Sequence, residues 1–128
     1  MTIAEVTRLP RTPEVSVVLP CLNEEATVGA VIDEAFAGLR AAGVDGEVIV
    51  VDNGSTDRSA TIASGRGARV IGETRRGYGS AYLAGLAAAR GESIVLADAD
   101  GTYPLGDLEP LLAELRGGAD LVLGSRFN

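Results

Sequence analysis

The segment "IVLADADGTYP", residues 94–104, runs through four apolar residues and then stops at two aspartates, Asp98 and Asp100, set one residue apart. A short continuous apolar run of this kind suits a β-strand covered on both faces rather than one with a solvated side. Four further runs share the pattern: "VSVVLP" (15–20), "EVIVV" (47–51), "ARVIG" (68–72) and "DLVLG" (120–124). Helical patterns lie between them. The first, from about Glu24 to Ala42, sets Val28, Val31, Ile32, Ala35, Phe36 and Leu39 on one face. A second starts near Asp57, a third fills 79–90, and a fourth covers 107–116 with Pro110 in its first turn, where proline is tolerated. Gly43, Gly91 and Gly117 follow three of these helices, at positions where a left-handed residue commonly ends the turn.

Strand–helix alternation predicts right-handed crossovers and a mostly parallel sheet with helices on both faces. Ligands of such sheets sit beyond the carboxyl ends of the strands, where the strand order reverses. The segments that follow the strands are therefore the candidate site: "PCLNEE" (20–25), "DNGSTD" (52–57), "GETRRGYG" (72–79), "DADGTYP" (98–104) and "GSRFN" (124–128).

Composition narrows the functions. At 128 residues the chain is the size of one domain. Aromatics make up only 4%, so the core is built from Val, Ile, Leu and Ala. A net charge of −7 opposes a general nucleic-acid surface, which needs a clustered basic face. One cysteine, Cys21, and no histidine exclude an internal disulfide and the usual zinc sites. Cys21 reads as a small buried apolar residue. No apolar stretch reaches the ~18 residues of a membrane span. The opening "MTIAEVTRLPRTPE" contains no signal-peptide core, and residues 1–13 read as a short flexible leader. A cytoplasmic setting fits these features.

Each polar loop has a bland reading beside a functional one. Asn23 is a candidate helix cap, as are Ser55, Thr56 and Asp57. Asp52 and Asn53 also stand at a strand end, where an amide suits the edge of a nucleobase. Arg75 and Arg76 read by default as a solvated pair, and as phosphate contacts in the functional reading, as does Arg126. The "RRGYGSAY" segment fails as a dinucleotide fingerprint, because Tyr82 stands where the third glycine belongs. Asp98 and Asp100 are harder to leave as solvated turns. Two unit charges about 4 Å apart interact by roughly 4 kcal/mol at an effective dielectric of about 20. A hard divalent cation relieves that repulsion, and Mg²⁺ typically takes one or two carboxylates plus substrate phosphates.

Two families share the motif. "IVLADADGTYP" alone resembles the haloacid-dehalogenase signature, which makes Asp98 a phosphoryl-accepting nucleophile and Asp100 a general acid/base. That family also needs a downstream basic residue and an acidic pair, whereas 28 residues without lysine follow Asp100. From Val15 to Phe127 the chain resembles the nucleotide-binding half of a GT-A glycosyltransferase of family 2, in the dolichyl-phosphate mannose synthase and polyprenyl-phosphate glucosyltransferase branch. The likeness rests on "VSVVLPCLNEEATV", "EVIVVDNGSTD", "RGYGSAYLAGLAAARGE", "IVLADADGTYP" and "ADLVLGSRF", in order.

This resemblance implies a Rossmann-like, nucleotide-sugar-binding domain over 14–128, with the acceptor half absent. It implies inverting, metal-dependent transfer of a hexose from GDP-mannose or UDP-glucose, with a polyprenyl or dolichyl phosphate as acceptor. Pro20, Leu22, Glu24, Val51, Asp52 and Asn53 would bind the donor, with Asp98, Ala99 and Arg76 beside the ribose and diphosphate. Asp98, Asp100 and Thr102 would hold Mg²⁺ or Mn²⁺. Asp100 and Arg126 would be the catalytic pair. Three positions depart from the family: Asn53 replaces its usual Asp, Thr102 replaces a Gln of some mannose synthases, and Leu22 replaces a common aromatic. A non-catalytic nucleotide-sugar-binding fragment is the remaining alternative. The expected partners are the donor, a lipid-phosphate acceptor at the cytoplasmic membrane face, and a membrane-associated partner or C-terminal half. Apolar surface near Leu121, Leu123 and Phe127 would add a homodimer.

Overall fold

The computed structural model describes residues 13–101, 104–116 and 121–124. Strands β1 (Val15–Cys21), β2 (Gly46–Asp52), β3 (Arg69–Gly72), β4 (Ser93–Ala97) and β5 (Leu121–Gly124) alternate with helices α1 (Val28–Ala41), α2 (Ser59–Gly65), α3 (Tyr78–Ala88) and α4 (Glu109–Arg116). Every strand pairing is parallel, in the order β3-β2-β1-β4-β5. The chain steps outward from β1 through β2 to β3, then returns to place β4 on the other side of β1. The reversal therefore lies between β1 and β4, which run in register from Val15↔Ser93 to Val18↔Leu96.

Strands β1, β2 and β4 are covered on both faces, as their continuous patterning requires. Val17, Leu19 and Cys21 pack with Val48, Val50 and Val95 against α1, α2 and the start of α4. The alternate residues Val18, Ile49, Val51 and Leu96 pack under α3. Complete burial of each Val, Ile or Leu side chain contributes roughly 1.5–3 kcal/mol, and these two layers are the main source of stability.

The helix boundaries depart from the sequence reading in instructive ways. α1 begins at Val28 rather than near Glu24. The preceding backbone is drawn instead into contacts with the β2–α2 loop: the N–H groups of Asn23, Glu24 and Glu25 donate to Ser55 Oγ, Ser59 Oγ and Asp57 Oδ2. Asn23 is no cap. It sits at φ 53°, and its Oδ1 accepts the N–H of Thr56 at 2.8 Å, which ties two loops together. Asp57 stands one residue before the N-cap position of α2, which is Arg58, and its Oδ1 accepts the N–H of Ser59 at 2.9 Å. Gly43 ends α1 as predicted, at φ 70°, with Val44 N–H donating to the Leu39 carbonyl and Gly43 N–H to that of Arg40.

Gly91 does not play that part. It is absent from the left-handed region, and a Cβ there would lie 2.6 Å from Ser16 N. It is glycine because the chain passes against β1. Pro110 falls in the first turn of α4 as expected. Gly117, Phe127 and the side chains of Leu121 and Leu123 lie outside the described residues.

Candidate active site

A cleft of about 360 Å³ opens at the carboxyl edge of the sheet, at the β1/β4 reversal. The end of β1 supplies Pro20, Cys21, Leu22 and Glu24. The end of β4 supplies Asp98, Ala99 and Asp100. The far wall is Arg76, Gly77, Tyr78 and Ala81, from the loop into α3 and its first turn, with Asn53 beneath. The loops read from sequence as one polar rim do meet.

Thr27 fixes the acidic loop, its Oγ1 donating to the carbonyl of Ala99 at 2.9 Å. Ala99 turns its methyl into the core, and the flanking Asp98 and Asp100 reach the cleft. Three carboxylates, those of Glu24, Asp98 and Asp100, thus line a site with one guanidinium, Arg76, among its described walls. Their field is felt by the tyrosines. Burial, then the charges of Asp98, Asp100 and Glu24, push the Tyr78 hydroxyl above its ordinary value. Burial and Asp98 push Tyr82 further in the same direction. Tyr82 donates to Asp98 Oδ1 at 3.2 Å, and its ring stacks on Tyr78 with centroids 6.3 Å apart.

Asn53 lines the cleft and also has a structural task. It is buried, its Nδ2 donates to the carbonyls of Glu73 and Arg75 at 2.8 and 2.7 Å, and its Oδ1 accepts from Gly77 N–H at 2.9 Å. The amide holds the 73–77 loop in shape and has little capacity left for a base edge. Val51 is fully buried beneath α3 and does not line the cleft. Asp52 accepts the N–H of Ser55 at 3.1 Å, which shapes the turn, and it also stands back from the cleft. Val51 thus serves the core and Asp52 the turn. Thr102 and Arg126 lie outside the described residues. Cys21 is buried as expected, and burial pushes its thiol upward, which keeps it protonated and unreactive.

Sequence reasoning missed Tyr78 and Tyr82. The signal was present in "GYGSAY", where two aromatics four residues apart share a helix face.

The sequence pattern described as Glycosyl transferase family 2 matches residues 16–128. The chain belongs to glycosyl transferase family 2. An uncharacterized glycosyltransferase of Mycobacterium tuberculosis is 52% identical over 112 residues, which are 88% of this chain and 48% of that protein. A dolichyl-phosphate hexose transferase of Haloferax volcanii is 37% identical over 114 residues, 89% of this chain and 48% of that one. Among solved structures, the glucosyl-3-phosphoglycerate synthase of Mycobacterium tuberculosis in complex with Mn²⁺ and UDP-glucose superimposes with a TM-score of 0.68 at 39% identity, covering 83% of this chain and 40% of that one. The chain spans about half the length of the curated relatives it matches. Membership of family 2 displaces the haloacid-dehalogenase reading of Asp98.

The donor set at the cleft fits a hard divalent cation. Asp98 and Asp100 offer oxygen ligands, and no group of three or more Cys, Asp or Glu among the described residues is arranged to enclose an ion alone. A site of that kind takes its remaining ligands from water and substrate phosphates, which is the habit of Mg²⁺ and Mn²⁺.

Proposed function

We propose that the cleft binds a nucleotide diphosphate sugar and serves an inverting hexosyl transfer. The observation that carries the reading is the placement of Asp98 and Asp100 at the end of β4, opposite Arg76, at the strand-order reversal. A bare diphosphate would be repelled by the three carboxylates there, so the reading requires a cation between them. Asp98 and Asp100, with Thr102 beside them in sequence, would hold Mg²⁺ or Mn²⁺. When bound, the ion supplies Lewis-acid stabilisation of the charge that develops on the leaving diphosphate. The UDP-glucose and Mn²⁺ in the synthase structure support both donor class and ion.

The chain's own residues have separate tasks in this reaction. Arg76 would offer the diphosphate a cation from the cleft wall, opposite in sign to the charge that develops on the leaving group. Pro20, Leu22 and Tyr78 give the nucleoside an apolar wall, and Glu24 offers an acceptor to sugar or ribose hydroxyls. Arg126 is assigned to the acceptor side. A lipid phosphate is the preferred acceptor, supported by the dolichyl-phosphate relative. Such an oxygen is already ionised near neutral pH, and no general base is then needed. The same acceptor would put the protein at a cytoplasmic membrane face, with a membrane-associated partner or further chain completing the acceptor side. No helix among the described residues is long and apolar enough to cross a membrane.

The test is calorimetry with UDP-glucose and GDP-mannose, each with and without Mn²⁺. Binding that strengthens with the ion supports the reading. Affinity indifferent to Mn²⁺, or no binding of either donor, overturns it.

A further inference from the structure

Tyr82 lies one turn before Gly85 on α3, and Gly85 is fixed against the sheet. A Cβ there would stand 2.2 Å from Val18 Cγ1 and 3.2 Å from Val51 Cγ2, so the helix rides lower than any larger residue permits. That close seat brings the Tyr82 hydroxyl to 3.2 Å from Asp98 Oδ1. The bond is long for a hydroxyl donor, as hydrogen bonds in unliganded sites commonly are. The Tyr78 ring stacks against the Tyr82 ring, with centroids 6.3 Å apart. Asp98 accepts no other hydrogen bond among the described residues.

We propose that Tyr82 is the positioning residue for Asp98: its hydroxyl holds Oδ1 and so presents Oδ2 to the cation and donor in the cleft. The proposal rests on the nucleotide-sugar reading of the cleft. A carboxylate at a strand end has free rotation about its last bond, and a second oxygen fixed by a neutral donor removes that freedom without cancelling the charge. Partners of this kind behind metal-binding carboxylates typically change metal affinity by about 10- to 100-fold when removed. The two tyrosines thus connect the packing of α3 on β1 to the geometry of the acidic loop after β4.

The experiment compares Tyr82→Phe, Asp98→Asn and the double variant. Free Mn²⁺ is followed by electron paramagnetic resonance during titration with protein and UDP, and UDP affinity is measured with and without the ion. Phenylalanine keeps the ring and its stack on Tyr78, and thermal melts verify that the fold is retained. Tyr82→Phe is expected to weaken Mn²⁺-dependent UDP binding on the order of tenfold, to leave ion-free binding unchanged, and to add nothing in the Asp98→Asn background. Wild-type Mn²⁺ affinity in Tyr82→Phe, with a loss in Asp98→Asn, overturns this inference and leaves the site reading intact. Losses that simply add in the double variant overturn it as well. Wild-type behaviour of Asp98→Asn overturns the site reading itself.

Discussion

Gly85 of α3 and Val18 of β1 are in such close contact that a single added carbon on the glycine would reach to 2.2 Å from the valine's Cγ1. Val18 is fully buried and part of a strand bonded on both edges, so it cannot give way. Helix propensity alone favours Gly85→Ala by roughly 1 kcal/mol. Overpacking opposes it by about 1–3 kcal/mol, and the close contact makes that the larger effect. The expected outcome is net destabilisation in urea unfolding, with weaker donor binding because α3 carries Tyr78 and Tyr82. A variant as stable as the parent would show that α3 can lift off the sheet without loss.

The opposite edge of the sheet gives a pH prediction. Glu47 accepts from Ser16 Oγ at 2.6 Å, from Arg90 N–H at 2.8 Å and from Arg69 Nη2 at 3.0 Å. Burial works to raise its pKa, yet Ser16, Arg90 and Arg69 together hold it below the ordinary carboxylate value. The folded form therefore binds the proton less readily than the unfolded chain. The stabilisation is fully present above the unfolded value, 4.5, and is lost as pH falls through the folded one. Glu47→Gln should cost about 1.5–3 kcal/mol at pH 7 by denaturant titration, for loss of charged hydrogen bonds. The gap between variant and parent should close as the pH is lowered below 4.5. A gap independent of pH would mean that shape, not charge, matters at Glu47.

The sheet, its parallel sense and the site loops were legible because continuous β-branched runs have few other uses, and because such sheets bind ligands at strand ends. Contacts formed at a distance were not legible. The start of α1 was misread because its preceding N–H groups are satisfied by Ser55, Asp57 and Ser59, more than 30 residues away. The burial of Val51 beneath α3 was not legible, because strand patterning does not reveal which face a helix covers. Asn53 looked like a base reader because an amide's donors and acceptors serve a loop equally well. The pairing of Tyr82 with Asp98 depends on how deeply α3 sits on β1, which the contacts at Gly85 set and no local pattern states.

Asn53→Asp is the sharpest test of the loop-holding role. The resemblance read from sequence implies Asp at this position, and a base-reading side chain should tolerate that change. In this structure the new carboxylate would face the carbonyls of Glu73 and Arg75, which now receive the amide's two N–H bonds. Loss of both buried bonds, with a charge set against two carbonyl oxygens, should destabilise by roughly 2–4 kcal/mol. Hydrogen exchange should speed up across residues 73–77 in particular. Unchanged protection there, with an altered preference between UDP and GDP, would return Asn53 to the base.

Arg76 gives the last prediction, and it separates the diphosphate from the nucleoside. Its side chain lies near Gly54 and lines the cleft, and it forms no hydrogen bond or ion pair with another described residue. Its neighbour Arg75 is held by Glu73, with Nε donating to Oε1 at 2.7 Å. The two neighbours are therefore split: the Arg75 guanidinium is committed to the loop, and Arg76 lines the cleft. Arg76→Gln should weaken UDP binding about tenfold, the scale of one charge-assisted contact to phosphate. It should leave uridine binding unchanged, because uridine carries no phosphate. Calorimetry at two salt concentrations should show a shallower salt dependence for the variant, since screening acts on the charge that was removed. Equal losses for UDP and uridine would mean that Arg76 shapes the cleft wall instead of meeting the diphosphate. Arg75→Gln, by contrast, should act through the loop, lowering affinity for both ligands alike.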